Sequence, residues 1–300
     1  MTNFSAHAAV RMVGCAALIC CATPAYAWGD EGHEVIGLIA EHYLDPAVRS
    51  RVESILAADR TGLTRDTRID HEATWADKYR DSDRASTRVR YEGTRQWHFV
   101  DLELGTPDLK SACYGEPPLP RGRPASAGPP RDCVVDKIDE FILELRSGAT
   151  AGPERRLALQ FLLHFVGDLH QPLHSSDDHD QGGNRKIVMA PGLRPANLHH
   201  AWDTIFVRRL GASESLIARR LISAITDEQR RRWSSGSPAD WASESFTVAR
   251  KHAYGLLPGA TSGNHYSLSE SYLSDATSVT AQQLSKAGVR LAYILNRSMR

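Results

Sequence analysis

The stretch PERRLALQFLLHFVGDLHQP, from Pro153 to Pro172, restricts the fold more than any other part of this sequence. Proline is tolerated in the first turn of a helix, where its missing N–H has no partner to lose, but it breaks a helix interior. The stretch therefore predicts one long, strongly apolar helix that opens at Pro153, runs to His170 and ends at Pro172. Apolar stripes at helical spacing recur along most of the chain. One covers residues 33–44 through Val35, Ile36, Ile39, Ala40 and Tyr43. A second follows Asp45, read as its cap, with Pro46 in first position and Val48, Val52, Ile55 and Leu56 on one face. Others are expected over residues 69–79, from Val134 through Ile138, Phe141, Ile142 and Leu145, and over 198–210, 214–225, 239–256 and 266–297. Residues 96–104 (QWHFVDLEL) read as extended or irregular, and 105–131, with seven prolines and four glycines, as a loop. DQGGNRKIVMA reads as a turn into a short strand or hairpin. The class predicted is mainly α, an irregular bundle of about eight to ten helices with a short β-hairpin.

The first 27 residues have a different character. One basic residue, Arg11, precedes an apolar run from Met12 to Cys21, and Ala25-Tyr26-Ala27 forms a small-x-small cleavage site. This is the pattern of a secretory signal, whose removal would make Trp28 the first residue of a single exported domain, 28–300, secreted or periplasmic. Lipid attachment through Cys15 or Cys21 fits less well, because the residues before each suit it poorly. No later run approaches the roughly 18 apolar residues of a membrane span, so no membrane association is expected. Three of the five cysteines leave with the signal. The remaining pair, Cys113 and Cys133, flanks the proline-rich loop; outside the cytosol it should be oxidised, a bridge worth roughly 3 kcal/mol on the chain-entropy argument.

Charge excludes a simple backbone-gripping mode. Of 36 basic residues Arg11 leaves with the signal, so 35 face 36 acidic ones. A protein that holds nucleic acid through its general field shows a clear basic excess. The arginines between Arg80 and Arg95 are interrupted by Asp81, Asp83 and Glu92 and read as a solvated face.

The chemistry concentrates in two segments. In HFVGDLHQPLH, residues 164–174, His164 and Asp168 stand four apart on one helix face, and His174 follows beyond Pro172. In NLHHAWD, His199 and Asp203 repeat the spacing. One such helical pair is more often a surface hydrogen bond than a metal site. Two pairs with a further histidine, on strongly apolar helices, favour divalent metal, and zinc accepts this set of nitrogen and oxygen donors. Several ions are implied. His170, two positions from Asp168, cannot share its face and reads as support for it, while His42, His71, His252 and His265 have no partner pattern and read as structural or solvated. Cleavage after Ala27 would also free the α-amino group of Trp28. Its nitrogen and carbonyl oxygen could close a five-membered chelate, with His33 as third ligand; the alternative is that Trp28 is a buried anchor and nothing more.

The elements WGDEGH, WADKYR, WHFVD, HFVGDLHQPLH, GGN and NLHHAWD follow one another from residue 28 to residue 203. With this ordered set the chain resembles the zinc-dependent, single-strand-specific nucleases of moulds, plants and bacteria, the S-one/P-one type, which are related to bacterial zinc phospholipase C. The resemblance implies a phospholipase C/nuclease-like helical fold and three zinc ions. One would be held by Asp77, His98, His164 and Asp168, a close partner by Trp28, His33 and the shared Asp168, and the third by His174, His199 and Asp203. It implies catalytic roles for Asp77, Asp168 and Arg80, with Arg80 approaching the phosphate, Phe99 stacking on a base and Asp101 bonding the base edge. Single-stranded DNA and RNA and 3′-nucleotides would be the substrates, and the products 5′-phosphorylated; a monomer is expected.

Metal physics supplies the expected reaction. Two zinc ions that share a water bring its pKa towards neutrality, so that it attacks phosphorus in line, while the remaining ion and Arg80 offset the developing charge. Base stacking, roughly 1 to 3 kcal/mol per base, would favour unpaired strands. The segment between WADKYR and WHFVD and the loop SSDDHDQ depart from the family pattern, and the C-terminal hundred or so residues carry no motif and count as helical scaffold. Two rivals are retained. A zinc phospholipase C should show a longer gap from its tryptophan to the first histidine and a glutamate in place of Asp203. A non-catalytic zinc-binding protein should close its sites with four protein ligands, often cysteines, whereas the Trp28 and His174 sites offer open positions.

Overall fold

A computed structural model describes residues 28–120 and 122–300, so the signal expected over 1–27 lies outside the described residues. The fold is mainly α, as expected. Helices α1 (Asp30–Tyr43) and α2 (Pro46–Leu56) follow the first two apolar stripes. Asp45 stands at the cap position of α2, but its carboxylate turns to Arg300 at 3.3 Å and makes no capping bond. Residues 69–79 do not form one helix. They divide into α3 (Ile69–Glu72) and α4 (Trp75–Asp81), and the break leaves the Ala73 carbonyl free to accept a bond from His164 Nδ1 at 2.7 Å. Helix α5 (Val89–Thr94) has no apolar stripe to announce it, because only Thr94 is buried.

A 3-10 turn (Arg95–His98) then leads into irregular chain, as QWHFVDLEL suggests. This chain is laid against the segment after α8 by bonds from Val100 N–H to His174 O (2.8 Å) and Leu104 N–H to Asp177 O (3.0 Å). The proline-rich loop contains a short α6 (Leu109–Ala112) and is closed by the Cys113–Cys133 disulfide across 20 residues. Reducing this bridge should cost roughly 3 kcal/mol and lower the melting temperature of the metal-loaded protein by roughly 6 to 12 °C. Calorimetry with and without reductant checks it; a shift below about 2 °C would mean that other contacts already hold the loop.

Helices α7 (Val134–Arg146) and α8 (Gly152–His170) pack along each other. Every residue of α8 from Ala158 to His170 is buried, so this helix is covered on all sides and its polar side chains cannot escape to water. After a 3-10 turn (Pro172–His174), strands β1 (Ile187–Met189) and β2 (Ala196–Asn197) make the expected hairpin. Helix α9 (Leu198–His200), a π turn (Ala201–Ile205) and α10 (Phe206–Arg208) continue as one. Then follow α11 (Glu214–Ala224), α12 (Asp227–Trp233), α13 (Pro238–Val248) with a second π turn (Ala249–Tyr254), and α14 (Glu270–Ser298). Helix α12, with only Trp233 buried, is held at its start by a Thr226/Gln229 capping box. Residues 265–267, partly assigned to a helix from the sequence, instead form β3 (His265–Ser267), which pairs parallel with β1 and completes a sheet of order β2-β1-β3.

Two apolar clusters organise the molecule. The larger joins α1, α7, α8 and α14 through residues such as Trp28, Ile36, Phe141, Phe161, Phe165 and Leu291. The smaller lies under the sheet and includes Leu173, Val188, Leu198, Trp202, Phe206 and Tyr272. The chemistry-bearing residues sit where the two meet. Among the described residues no helix is long and apolar enough to cross a membrane.

Candidate metal centre

Because α8 is buried all round, His164 and Asp168 face only what packs on them. Helix α1 brings His33, which stacks on His164 with ring centroids 3.7 Å apart. Gly167 makes room for it, since a Cβ there would lie 2.9 Å from His33 Nδ1. Helix α4 brings Asp77, and the 3-10 turn before Phe99 brings His98. Asp168 is the hub. Its Oδ2 lies 2.9 Å from His98 Nδ1 and 3.3 Å from His164 Nε2, and its Oδ1 lies 3.4 Å from His33 Nε2 and 3.7 Å from His174 Nδ1. Asp77 Oδ1 is 3.5 Å from both His98 Nδ1 and His164 Nε2. Two overlapping donor groups result, His33–His164–Asp168 and Asp77–His98–His164. A third, His174–His199–Asp203, adjoins them; there the spacing expected of an α-helix is realised across a π turn.

Backbone carbonyls fix three of the imidazoles. The Nδ1–H of His164 donates to Ala73 O (2.7 Å), that of His174 to His98 O (2.9 Å) and that of His199 to Gly182 O (2.6 Å). A carbonyl oxygen only accepts, so Nδ1 carries a proton in each and Nε2 is the nitrogen turned inward. The Nε2 atoms of His174 and His199 then face each other at 3.1 Å. A second proton is disfavoured on both: burial, and then His174, pushes His199 down to about 3, and burial lowers His174 as well. Two lone pairs at this distance call for a cation. Buried atoms without a hydrogen-bond partner point the same way, namely both nitrogens of His33, Nε2 of His98 and of His164, Oδ1 of Asp168 and Oδ2 of Asp203. Each such atom costs about 1 to 3 kcal/mol, and divalent ions at these donor groups would relieve those that face inward.

The titration of the groups points to where positive charge belongs. Burial pushes His98 down to about 4, and burial together with His164 lowers His33. Burial would lower His164 too, but the Asp168 and Asp77 carboxylates raise it to about 10. Burial would raise Asp168 and Asp77; His164 holds Asp168 well below the usual carboxylate range, and Arg80 with His164 does the same for Asp77. Asp203 goes the other way. Burial raises it well above the usual range against the single hydrogen bond of Gln171 Nε2 at 2.5 Å, so its ionised form needs a cation beside it.

The other residues singled out in the sequence fall as follows. The Trp28 indole is fully buried and donates from Nε1 to Gly167 O at 2.9 Å, while the next residue, Gly29, donates its N–H to Asp203 O at 3.0 Å. Trp28 is thus an anchor, and the anchoring places its backbone between α8 and the Asp203 turn. Arg80 is buried, with Nη1 2.5 Å from Asp77 Oδ1 and with Nε and Nη2 on the Asp81 carboxylate at 3.0 and 2.9 Å. Phe99 and Asp101 are half-buried on the irregular chain that follows His98. Cys113 and Cys133 are joined, and the next residue, Val134, donates its N–H to Phe99 O at 3.2 Å.

One histidine reading needs correction. His170 does not support Asp168: its Nδ1–H donates to Val166 O at 2.7 Å and its Nε2 accepts from Arg290 Nη1 at 2.8 Å, on the side of α8 facing α14. His71 is structural, one of the two roles expected for it, with Nδ1 2.6 Å from Asp66 and with Asp70 and Glu34 in one buried group. That group is already neutralised, since Arg65 and Arg68 each lie 2.6 Å from its carboxylates. Residues with structural roles at the centre that sequence reasoning does not single out are Ala73, Gln171 and Gly182. Gln171 and Gly182 lie inside quoted motifs. Ala73 acts through its carbonyl, which every residue possesses, so no signal marks it.

Residues 28–300 match the family model described as S1/P1 Nuclease. Endonuclease 2 of Arabidopsis thaliana is 30% identical over 315 residues, covering 99% of this chain and 99% of its own. Nuclease S1 of Aspergillus oryzae is 28% identical, covering 94% and 95%, and nuclease P1 of Penicillium citrinum 27%, covering 90% and 97%. A match along the whole described chain, on a mainly α fold with three buried His/Asp groups in contact, means that this chain belongs to the S1/P1 nuclease family, hydrolases that act on nucleic acid.

Proposed function

We propose that this chain is an exported, zinc-dependent endonuclease that cuts single-stranded DNA and RNA to 5′-phosphorylated products and also removes phosphate from 3′-nucleotides. The observation that carries this reading is the contact of three buried donor groups through Asp168, which touches His33, His98, His164 and His174. Asp77, His98, His164 and Asp168 would hold one zinc, Trp28 and His33 with Asp168 a second, and His174, His199 and Asp203 a third, a nitrogen and oxygen set that zinc accepts. Such ions, when bound, acidify water for attack on phosphorus and offset charge on the phosphate.

The chain's own side chains do the rest. Asp77 and Asp81 fix the Arg80 guanidinium, whose charge does not titrate, for a phosphate oxygen. Phe99 offers a ring to an unstacked base, worth roughly 1 to 3 kcal/mol, and duplex DNA hides the faces it needs. Asp101 would bond the base edge. Burial, and then Asp177 and Glu103, pushes its carboxyl up to about 7. Below that pH it carries a proton and donates; above it, it only accepts. The KM for a 3′-nucleotide should therefore change by about threefold to tenfold across the interval around pH 7, one hydrogen bond's worth. Asp101→Asn should flatten that profile while kcat changes little; a variant whose KM profile matches the parent's removes Asp101 from base recognition.

Export rests on the pattern of residues 1–27, and the Cys113–Cys133 disulfide is in keeping with an oxidising compartment. The reading is tested on correctly processed protein by metal analysis together with digests of single-stranded DNA, duplex DNA, RNA and a 3′-nucleotide. Three zinc ions per chain and single strands cut at least about tenfold faster than duplex are expected. Faster release from phosphatidylcholine would assign a phospholipase instead, and zinc-replete protein without turnover would assign a structural zinc protein.

A further inference from the structure

The part of the chain after residue 203 holds no ligand motif, yet one of its side chains reaches the supports of the metal centre. Tyr254 ends the second π turn and donates its hydroxyl to Asp180 Oδ1 at 3.0 Å. That hydroxyl has no other hydrogen-bond partner among the described residues. Asp180 is only 5% exposed, and the same Oδ1 accepts the N–H of Gly183 at 2.8 Å. Asp180 in turn donates its own N–H to Asp177 Oδ1 at 3.0 Å, and that oxygen also takes the N–H of Gly182 at 2.9 Å. Lys186 Nζ, 3.3 Å from Asp180 Oδ2 and 3.0 Å from Asp178 Oδ2, balances the charge.

Two carboxylates therefore hold the turn 177–183 from within, and this turn presents the carbonyl that receives the Nδ1–H of His199 at 2.6 Å. Its backbone would not stay there by preference. His179, Gln181, Gly182 and Gly183 take φ of 54°, 59°, 58° and 83°, and left-handed backbone is unfavourable for the two side-chain-bearing residues by roughly 1 to 2 kcal/mol each. Only glycine lets the chain come this close, because a Cβ on Gly182 would sit 2.6 Å from Leu173 O and 3.3 Å from His199 Nδ1. The hydrogen-bond partner of one imidazole nitrogen sets both the tautomer and the ring orientation with which the other nitrogen meets an ion.

We propose that Asp180 and Tyr254 are positioning residues for His199: by fixing the Gly182 carbonyl they set which imidazole nitrogen is free, and so the affinity of the His174–His199–Asp203 group for its ion. The inference rests on the reading that this group holds zinc. It also gives the SSDDHDQ loop and the C-terminal scaffold a part in holding the metal centre.

The test uses the mature full-length chain carrying Tyr254→Phe, Asp180→Ala, Asp180→Asn or His199→Ala. Zinc per chain is followed against a graded chelator, together with kcat/KM and the melting temperature of the zinc-stripped protein. Tyr254→Phe and Asp180→Ala are expected to weaken one zinc of three by about ten- to a hundredfold, the usual effect of losing a ligand's outer partner. The other two ions should stay, the zinc-stripped Tyr254→Phe protein should melt within about 2 °C of the parent, and Asp180→Asn, which keeps an acceptor oxygen, should recover most of the affinity. Tyr254→Phe carries the test alone if Asp180→Ala does not fold. Should His199→Ala keep all its zinc, the metal-site reading itself fails. Should His199→Ala lose an ion while Tyr254→Phe binds zinc within about twofold of the parent, the positioning role fails and the metal-site reading stands. A zinc-stripped Tyr254→Phe protein that melts well below the parent would make the hydroxyl structural and would likewise overturn the proposal.

Discussion

Asp168→Asn is expected to remove two zinc ions from the protein and to lower nuclease kcat/KM by roughly a thousandfold or more. Both oxygens of this carboxylate face imidazoles, Oδ2 those of His98 and His164 and Oδ1 those of His33 and His174. Asparagine keeps the shape but turns one oxygen into an amide NH₂, which donates and cannot ligate. It also removes a negative charge from a site with no exposure to water, where His164 depends on it. Metal ions supply several kcal/mol to phosphoryl chemistry, and each 1.36 kcal/mol is about tenfold in rate, which sets the expected loss. Elemental analysis and steady-state kinetics on the folded variant check it. Unchanged zinc content, or a loss smaller than about tenfold, would show that Asp168 is not shared between ions.

Adding one residue before Trp28, or acylating its amine, is expected to cost one zinc and at least about a hundredfold in kcat/KM. The structure separates this from a folding defect. Trp28 is anchored through its indole on Gly167 O, and Gly29 through its N–H on Asp203 O; neither bond uses the α-amino nitrogen. An extension therefore leaves the anchor in place and takes away only the free amine that the proposed five-membered chelate requires. Melting of the zinc-stripped protein should be unaffected while zinc content falls. A blocked terminus with full zinc and full activity would reduce Trp28 to the anchor alone.

The two segments richest in donors, HFVGDLHQPLH and NLHHAWD, are legible in the sequence because their information is local. Helical periodicity relates His164 to Asp168, and prolines mark where α8 begins and stops. The same local rules fail where a partner elsewhere decides the outcome. Residues 69–79 read as one helix, but the chain breaks at Ala73, whose carbonyl serves His164. Tyr266 and Ser267 read as the edge of a helix, but the exposed side of β1 recruits them, with His265, as β3. His170 lies inside the HFVGDLHQPLH segment in sequence but faces Arg290 in space. Asp180 and Tyr254 give no joint signal, since their meeting depends on how the C-terminal helices fold back on the 177–183 turn.

The longer helices, the proline boundaries, the oxidised cysteine pair and the candidate donor residues are written in the chain itself, because each depends on spacing within a few turns or on residue chemistry alone. Which donors share one carboxylate, which nitrogen each imidazole turns inward and which tyrosine reaches the 177–183 turn are settled only by how the helices pack together. Their distances are fixed by the two apolar clusters rather than by any neighbour in sequence, and a buried polar group is satisfied by whatever that packing brings within reach.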